Sequence, residues 1–167
     1  EMTRLIWEGD DYIPYVWKDW LADPFGLLAV GEFGDQLISL AKITYQSEGE
    51  YWFEGMRTHP VYEGRGFAKH MFAYLLDYFQ CQGPAVGRLV TASFRLPVHK
   101  MCAHFGFHKI GEASSFKSPV EPNRLELPFR PLQPNEIAEA STYAQSSPAL
   151  AAAFGLMDSG WNWHKPS

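Results

Sequence analysis

The sequence of 167 residues contains only two cysteines, Cys81 and Cys102. They lie 21 positions apart, which is outside the usual spacing of metal ligands. This scarcity argues against a disulfide framework and against a zinc site. We therefore expect a protein without a bound metal, and a reducing, cytoplasmic location.

The sequence also lacks any run rich in lysine and arginine, and its net charge is -5. Proteins that bind nucleic acid through its phosphates need a basic surface, so this class is disfavoured. No apolar run is long enough to cross a bilayer, and the first residues lack the basic-then-apolar pattern of a signal peptide. We expect a soluble protein with neither a nucleic acid nor a membrane as partner.

Aromatic residues are abundant, at 16% of the chain with six tryptophans. They predict either an aromatic core or an aromatic-lined pocket. A chain of this length can bury one full core, so one main domain is expected.

Hydrophobic periodicity predicts a helix near the start, three strands joined by tight turns, and then helices that alternate with strands. The predicted strands cover 27–33, 37–45, 50–58, 86–93, 107–111 and 125–127. The predicted helices begin near Ile13, after Gly66, at Pro97, near Pro134 and at Pro148. This order predicts an α/β protein with a mixed sheet.

Residues 54–72 join the third predicted strand to an amphipathic helix through Gly64 and Gly66. Glycines leave the backbone unshielded where the helix begins, so free N–H groups and the positive end of the helix dipole face one spot. The stretch predicts an anion site, most naturally for a diphosphate. An ordinary glycine-containing turn between a strand and a helix explains the two glycines alone equally well.

The same junction resembles the signature of the GNAT acetyltransferases, Q/R-x-x-G-x-G/A, which follows a strand ending in V-x-P. Here the sequence reads T-H-P at 58–60 and E-G-R-G-F-A at 63–68. Glu63 departs from the pattern, and its carboxylate would repel a diphosphate unless it points away. The resemblance covers about residues 10–130. It implies the GNAT fold, a mixed, mostly antiparallel sheet with splayed central parallel strands flanked by helices.

The resemblance further implies that acetyl-CoA is the co-substrate. In the family, a bulge in the strand before the diphosphate loop binds the pantetheine and polarises the acetyl carbonyl. By position, the implied cofactor-binding residues are Met56, Arg57 and Thr58 at the bulge, Gly64, Arg65, Gly66, Phe67, Ala68 and Lys69 at the loop, and Arg95. Because Glu63 is unsuited to the role, backbone amides and Arg65 are expected to hold the diphosphate.

Two catalytic candidates follow from the same resemblance. Glu54 is in register with the family's general base, and strand alternation predicts that it shares a face with Met56 and Thr58. Aromatic neighbours would raise its pKa by desolvation, although a salt-bridged strand glutamate is the alternative, with Glu50 and His59 as weaker candidates for the base. Cys102 stands where the family has a tyrosine acid, and it either donates a proton or packs in the core.

The implied function is transfer of an acetyl group from acetyl-CoA to a primary amine, on a small molecule or a peptide, by direct attack in a ternary complex. Glu63, Arg95 and Cys102 depart from the family pattern. They leave a second interpretation open, in which the chain binds coenzyme A without catalysis, as a sensor or as a structural part of a larger protein.

We expect the acetyltransferase domain to span residues 1–130. Only nine residues precede Asp10, so either residues 2–7 form a shortened first strand or, as we favour, the chain begins inside the domain. Residues 131–167 are expected to form a short helical C-terminal extension. They alternatively begin a further domain or supply an oligomerisation arm, as in a homodimer.

Overall fold

A computed structural model describes residues 2–6, 9–114, 116, 118–119, 130–158 and 162–166. The helices are α1 (Ile13–Ala22), α2 (Phe67–Gln80), α3 (Leu96–His104), α4 (Ile137–Gln145) and α5 (Pro148–Ala152). The strands are β1 (Leu27–Phe33), β2 (Gln36–Ser47), β3 (Glu50–Thr58), β4 (Val86–Arg88), β5 (Met157–Asp158) and β6 (Trp163–His164). Short 3-10 turns cover Met2–Leu5, Pro60–Tyr62 and Pro134–Glu136. The chain divides into two compact units, 1–107 with 158–164, and 108–157 with 165–167.

The first unit is built on a four-stranded sheet in the order β1-β2-β3-β4. The first three strands pair antiparallel, as the predicted turns require, and β4 pairs parallel to β3. This parallel connection needs a crossover, and α2 supplies it. The predicted fold class, a mixed sheet flanked by helices, is confirmed.

Strands β3 and β4 pair only over Glu50–Trp52 and Val86–Arg88. A buried ion pair between Arg88 and Glu50 lies at this short join. The prediction of one strand over 86–93 is therefore wrong in its second half, because residues 89–93 leave the ladder and carry no strand. The two parallel strands separate at this point, which is the predicted splay.

Apolar side chains pack on both faces of the sheet. The α2 face has a buried cluster of Ala29, Ala41, Ile43, Tyr51, Phe53, Met71, Phe72 and Leu75. The α1 face has a second cluster of Met2, Ile13, Trp20 and Leu40. Some of the aromatic residues pack in this core, as in the ring contacts of Phe53 with Phe72 and with Phe107, whereas others, such as Tyr15 and Phe94, are exposed.

Three predictions near the ends of the domain have different outcomes. Met2–Leu5 forms a 3-10 turn rather than a shortened first strand, while Trp7 lies outside the described residues. The predicted strand at 107–111 is wrong: Phe107 packs in the core, but residues 108–111 are exposed and carry no strand. The predicted strand at 125–127 lies outside the described residues.

The second unit contains α4 and α5, which begin close to the predicted positions. Ser147 caps α5 by accepting a hydrogen bond from the Ala149 N–H at 3.2 Å, with Pro148 as the first helical residue. The turn before α4 starts with a capping box between Gln133 and Glu136. Within the described residues, no helix combines the length and the apolar character that a bilayer crossing needs.

Candidate active site

A cleft of about 1220 Å³ opens in the first unit where β3 and β4 separate. It is lined by the second half of β3, the start of α2, residues 89–92 and parts of α3. Of the predicted site residues, Glu54, Met56, Arg57, Thr58, Gly64, Gly66, Phe67, Ala68, Lys69 and Arg95 line it. Arg65 and Cys102 are not among the lining residues.

The loop before α2 leaves open space at the start of the helix. Gly64 and Gly66 have left-handed φ angles of +73° and +87°, which favour glycine over other residues. A Cβ at Gly64 would meet no atom within 4 Å, and a Cβ at Gly66 would meet only His70 Cδ2, at 4.0 Å. Helix α2 starts without a side-chain cap and without an acidic residue in its first turn. The loop therefore presents the N–H groups of a helix start to the cleft, and this environment suits an anion.

A β-bulge interrupts β3 beside this loop. Lys42 pairs with Glu54 and Leu40 with Arg57, so Gly55 and Met56 together lie opposite Ala41. Gly55 has a φ of +66°, as in bulges that begin with a left-handed glycine. The bulge thus begins one residue earlier than the stretch 56–58 expected from the resemblance.

The bulge also changes which side chains share a face. Met56 packs against the cluster of Phe53 on the α2 face of the sheet. Glu54 and Arg57, in contrast, both lie close enough to Tyr12 to shift its pKa. Simple alternation, which placed Glu54 with Met56, is wrong here because the extra residue inverts the pattern.

Trp20 of α1 fixes the bulge from the other side. A Cβ at Gly55 would lie 2.8 Å from Trp20 Cζ3 and closer still to Cη2. Trp20 is buried, so its ring has little room to move. The absence of a side chain at position 55 therefore lets α1 pack directly on the bulge.

We predict that Gly55→Ala lowers the free energy of unfolding by about 2–4 kcal/mol, because a left-handed backbone and the Trp20 ring both oppose a Cβ. Gly34→Ala is the matched control, since Gly34 has a φ of +61° but open space around it. The control should lose only about 1–2 kcal/mol, from backbone strain. Urea denaturation measures both, and equal losses would show that Trp20 does not oppose the new side chain.

An ion pair joins the segment before α1 to the bulge. Arg57 donates from Nη2 and Nε to the two carboxylate oxygens of the buried Asp11, at 2.9 and 3.0 Å, and from Nη1 to the Met56 carbonyl at 3.0 Å. The Arg57 guanidinium lies 5.4 Å from the centre of the Tyr12 ring. Burial, followed by the nearby Glu54 carboxylate, raises the pKa of Tyr12 to about 12. Through its hydrogen bonds to Asp11 and to the Met56 carbonyl, the Arg57 side chain therefore stabilises the bulge.

Glu54 lies half-buried at the wall of the cleft. Its Oε1 accepts a hydrogen bond from the Thr44 hydroxyl. Burial raises the pKa of Glu54, and the Thr44 hydrogen bond and the charge of Lys42 offset part of that rise. A carboxylate with a raised pKa at the edge of a cleft is suited to accept a proton near neutral pH.

Charged side chains line the cleft near the loop. Lys69, Arg95 and Lys100 supply positive charge from the α2 and α3 side. Arg65, expected to bind the diphosphate, has its guanidinium 5.3 Å from the centre of the Tyr62 ring. Glu63, whose carboxylate would repel a diphosphate unless it points away, is exposed and is one of the lining residues. The helix start and the three cations therefore supply positive potential at the loop, and the Glu63 carboxylate opposes it.

Cys102 is buried on α3, outside the cleft lining. Burial raises the pKa of its thiol, which keeps it protonated. These features match the packing alternative that the sequence left open.

We predict that Cys102→Ala costs about 1–2 kcal/mol of stability, because it leaves a small cavity, and leaves kcat near the wild-type value. Thermal unfolding and a thiol-release assay measure the two effects. A tenfold or greater fall in kcat at an unchanged melting temperature would assign the acid role to this thiol.

Sequence reasoning missed Asp11, Lys42 and Thr44 as neighbours of the site. Asp11 showed only the signal of a residue before a helix, and its carboxylate does accept a hydrogen bond from the Ile13 N–H at 3.3 Å. The sequence pattern places Lys42 and Thr44 in an apolar strand. Their side chains reach Asp23 and Glu54, respectively, and only the strand register could have revealed this.

Comparisons with known proteins agree with this geometry. The Acetyltransferase (GNAT) family model matches residues 2–107. No curated protein matches the sequence. Among the described residues, no cluster of histidine, cysteine or carboxylate side chains could hold a metal ion.

Solved structures with the same fold are distant in sequence. The aminoglycoside N-acetyltransferase AAC(6')-Iy, in complex with a bisubstrate analogue containing coenzyme A, is 15% identical with a TM-score of 0.56, over 71% of this chain and 88% of that one. The aminoglycoside 6'-N-acetyltransferase AAC(6')-Ih from Acinetobacter baumannii is 17% identical with a TM-score of 0.53, over 72% and 88%.

A transcriptional regulator from Bacillus halodurans C-125 has the same fold, at 19% identity and a TM-score of 0.54, over 63% of this chain and 74% of that one. Such distant likenesses show the fold alone, whereas the family model covers more than half of the sequence. The splayed sheet, the bulge beside a two-glycine helix start and the match over residues 2–107 together show that the chain belongs to the GNAT acetyltransferase family.

Proposed function

We propose that the chain is an N-acetyltransferase that moves an acetyl group from acetyl-CoA to a primary amine by direct attack in a ternary complex. The observation that carries this proposal is that three features line one cleft: the Glu54 carboxylate, the bulge at Gly55–Met56 and the helix start at Gly66. Each supplies a different requirement of acyl transfer.

The residues present fit acetyl-CoA. The open space before α2 and the cations Lys69, Arg95 and Lys100 suit a diphosphate and a further phosphate. The Thr58 hydroxyl oxygen, near the end of β3, is buried without a hydrogen-bond partner among the described residues, so a ligand group at this wall would satisfy it. The bound co-substrate would supply an activated acetyl thioester.

The protein's own groups have three tasks. A bulge leaves backbone N–H groups outside the ladder, and at Gly55–Met56 these would donate hydrogen bonds to the thioester oxygen as negative charge develops on it. Glu54 would accept a proton from the incoming ammonium, directly or through a water. Because Cys102 lies outside the cleft lining, we propose that solvent protonates the departing thiolate.

A thiol-release assay with a panel of amines tests this proposal. The panel should contain aminoglycosides, since two of the similar structures are aminoglycoside acetyltransferases, together with amino acids and short peptides. We expect coenzyme A to be released only when an acceptor is present. Stabilisation by acetyl-CoA without turnover of any amine would contradict the proposal and favour a coenzyme A sensor.

We further propose that the acetyltransferase domain spans residues 1–130 and that 131–167 form an extension to it. The cysteines Cys81 and Cys102 are free thiols, which supports a reducing, cytoplasmic location. Limited proteolysis tests the domain boundary, and cleavage near residue 130 that leaves a folded product with acetyl-CoA affinity is the expected result.

A further inference from the structure

A buried cation, Lys42, lies opposite Glu54 on the neighbouring strand. Lys42 in β2 is 1% exposed, and its Cα partners are Leu28 in β1 and Glu54 in β3. The Lys42 ammonium forms an ion pair with Asp23 and donates a hydrogen bond to the Ile43 carbonyl at 2.9 Å. A lysine this deeply buried is costly unless it is paired, so its position calls for an explanation.

The backbone makes room for this pair. A Cβ at Gly26 would overlap Lys42 Nζ, Asp23 Oδ2 and the Ile43 carbonyl oxygen. The Asp23 carboxylate also accepts hydrogen bonds from the N–H groups of Phe25, at 3.0 Å, and Gly26, at 3.2 Å. The turn between α1 and β1 is therefore built around the ammonium group of Lys42.

Thr44 connects the same region to the cleft. It lies two residues after Lys42 in β2, on the same face by alternation, and its hydroxyl donates to Oε1 of Glu54. The Thr44 hydroxyl thus donates a hydrogen bond to Glu54, and Lys42 of the same strand acts on Glu54 through its charge. Both interactions favour its ionised form.

We propose that Thr44 and Lys42 are positioning residues for Glu54. Thr44 fixes one oxygen of the carboxylate, and Lys42, held by Asp23, stabilises its negative charge. This inference rests on the proposed role of Glu54 as the general base. It assigns to Thr44 and the buried Lys42, two residues outside the cleft lining, the task of keeping that base ionised at working pH.

The charges around Glu54 set the expected signs. Burial raises the pKa of Glu54 and is the largest effect. Thr44 and Lys42, both in β2, lower this pKa, and Asp23, in the turn after α1, raises it. Tyr12, before α1, and the ion pair of Arg57, in β3, with Asp11 also lie on this side of the bulge. Removing either the Thr44 donor or the Lys42 cation destabilises the ionised form of Glu54, so the pKa of Glu54 should rise in both variants.

The test compares four variants of the full chain. Thr44→Val keeps the shape of the side chain and removes the hydroxyl, whereas Thr44→Ser retains the hydroxyl. Lys42→Met keeps the length of the side chain and removes the charge. Arg88→Met is the matched control, because it breaks a different ion pair of the sheet, the one between Arg88 in β4 and Glu50 at the far end of β3 from the bulge.

The first readout is the titration of the Glu54 carboxyl carbon by NMR, assigned with Glu54→Gln. We expect Glu54 to titrate at higher pH than wild type in Thr44→Val and Lys42→Met, and as wild type in Thr44→Ser and Arg88→Met. An unchanged titration in Thr44→Val overturns the role of Thr44, and an unchanged titration in Lys42→Met overturns that of Lys42. If Lys42→Met fails to fold, Lys42→Gln takes its place, and an unchanged titration of Glu54 in that variant overturns the role of Lys42.

The second readout is kcat/KM for thiol release, taken as the ratio of variant to wild type so that the acceptor's own titration cancels. For Thr44→Val and Lys42→Met we expect a several-fold loss at about pH 6 that disappears by about pH 9. A shifted titration without this loss would uphold the placement of the two residues but remove the general-base role from Glu54. The two readouts therefore separate failure of this inference from failure of the proposed function.

Discussion

Glu54→Gln is expected to lower turnover at neutral pH by about 10²–10⁴, the range that general bases contribute. Glutamine keeps the shape of the side chain but cannot accept the proton of the incoming ammonium. The loss should shrink at high pH, where free amine accumulates without help from the protein. Affinity for acetyl-CoA, measured by calorimetry, should stay close to wild type.

Loss of fold is not expected to explain that result. Burial raises the pKa of Glu54 above its value in an unfolded chain, so ionising this carboxyl opposes folding at a pH above both values. Glutamine removes that penalty, and the variant should be at least as stable at neutral pH except for the altered contact with Thr44.

Glu50→Gln is the comparison on the same strand. It breaks the buried pair with Arg88 and should cost stability, but the pH dependence of turnover should remain. A wild-type pH profile in Glu54→Gln would transfer the base to Glu50, His59 or solvent.

The second large effect is expected at the start of α2. Gly66→Glu should weaken acetyl-CoA binding by about 100-fold or more, because it places a negative charge where the diphosphate is proposed to bind. The same change at Gly64, which also borders open space, should act in the same direction. Calorimetric titration with acetyl-CoA measures both.

Gly83→Glu is the matched control for Gly66→Glu. Gly83 lies just beyond the other end of α2, has a φ of +84° and has open space around it, so it carries the same backbone strain and the same added charge. Gly66→Ala separates the two effects, since it adds strain without charge. Equal affinities in Gly66→Glu and Gly83→Glu would remove the diphosphate from this loop.

The strands and the helix start that surround the site could be predicted from the sequence where the residues of each element favour the structure that the element adopts. Strands 27–33 and 50–58 have the predicted bounds, since each is a run of strand-forming residues between turns. Gly66 caps α2 as the spacing of the signature indicated. Local signals were enough here because each element is specified by its own residues.

The register between β2 and β3 could not be predicted in the same way. Ser47 pairs with Glu50 at the turn between β2 and β3. If the two strands paired from there without a bulge, Lys42 would lie opposite Gly55. A bulge near Gln46 shifts the register by one residue, so Lys42 lies opposite Glu54. The second bulge, at Gly55–Met56, restores the original register from Leu40 and Arg57 onward. Bulges depend on packing from outside the strand, here on Trp20 against Gly55, and a single strand's pattern does not contain that information.

The second half of the predicted strand over 86–93 is wrong for a related reason. Residues 89–92 have strand-like composition, but the sheet opens before they can pair. Alternation reports which side chains are apolar and does not report whether a neighbouring backbone is within reach.

The short join between β3 and β4 has a consequence for amide hydrogen exchange. Residues 89–92 are held at both ends. At the first end Arg88 forms the ion pair with Glu50. At the other end His99 Nε2 contacts the Ala92 carbonyl oxygen at 3.1 Å. Between them the backbone lies outside the ladder and along the cleft. Its amides should open locally at a small fraction of the free energy that unfolds β2, and a molecule filling the cleft should slow their exchange while leaving that of β2 unchanged.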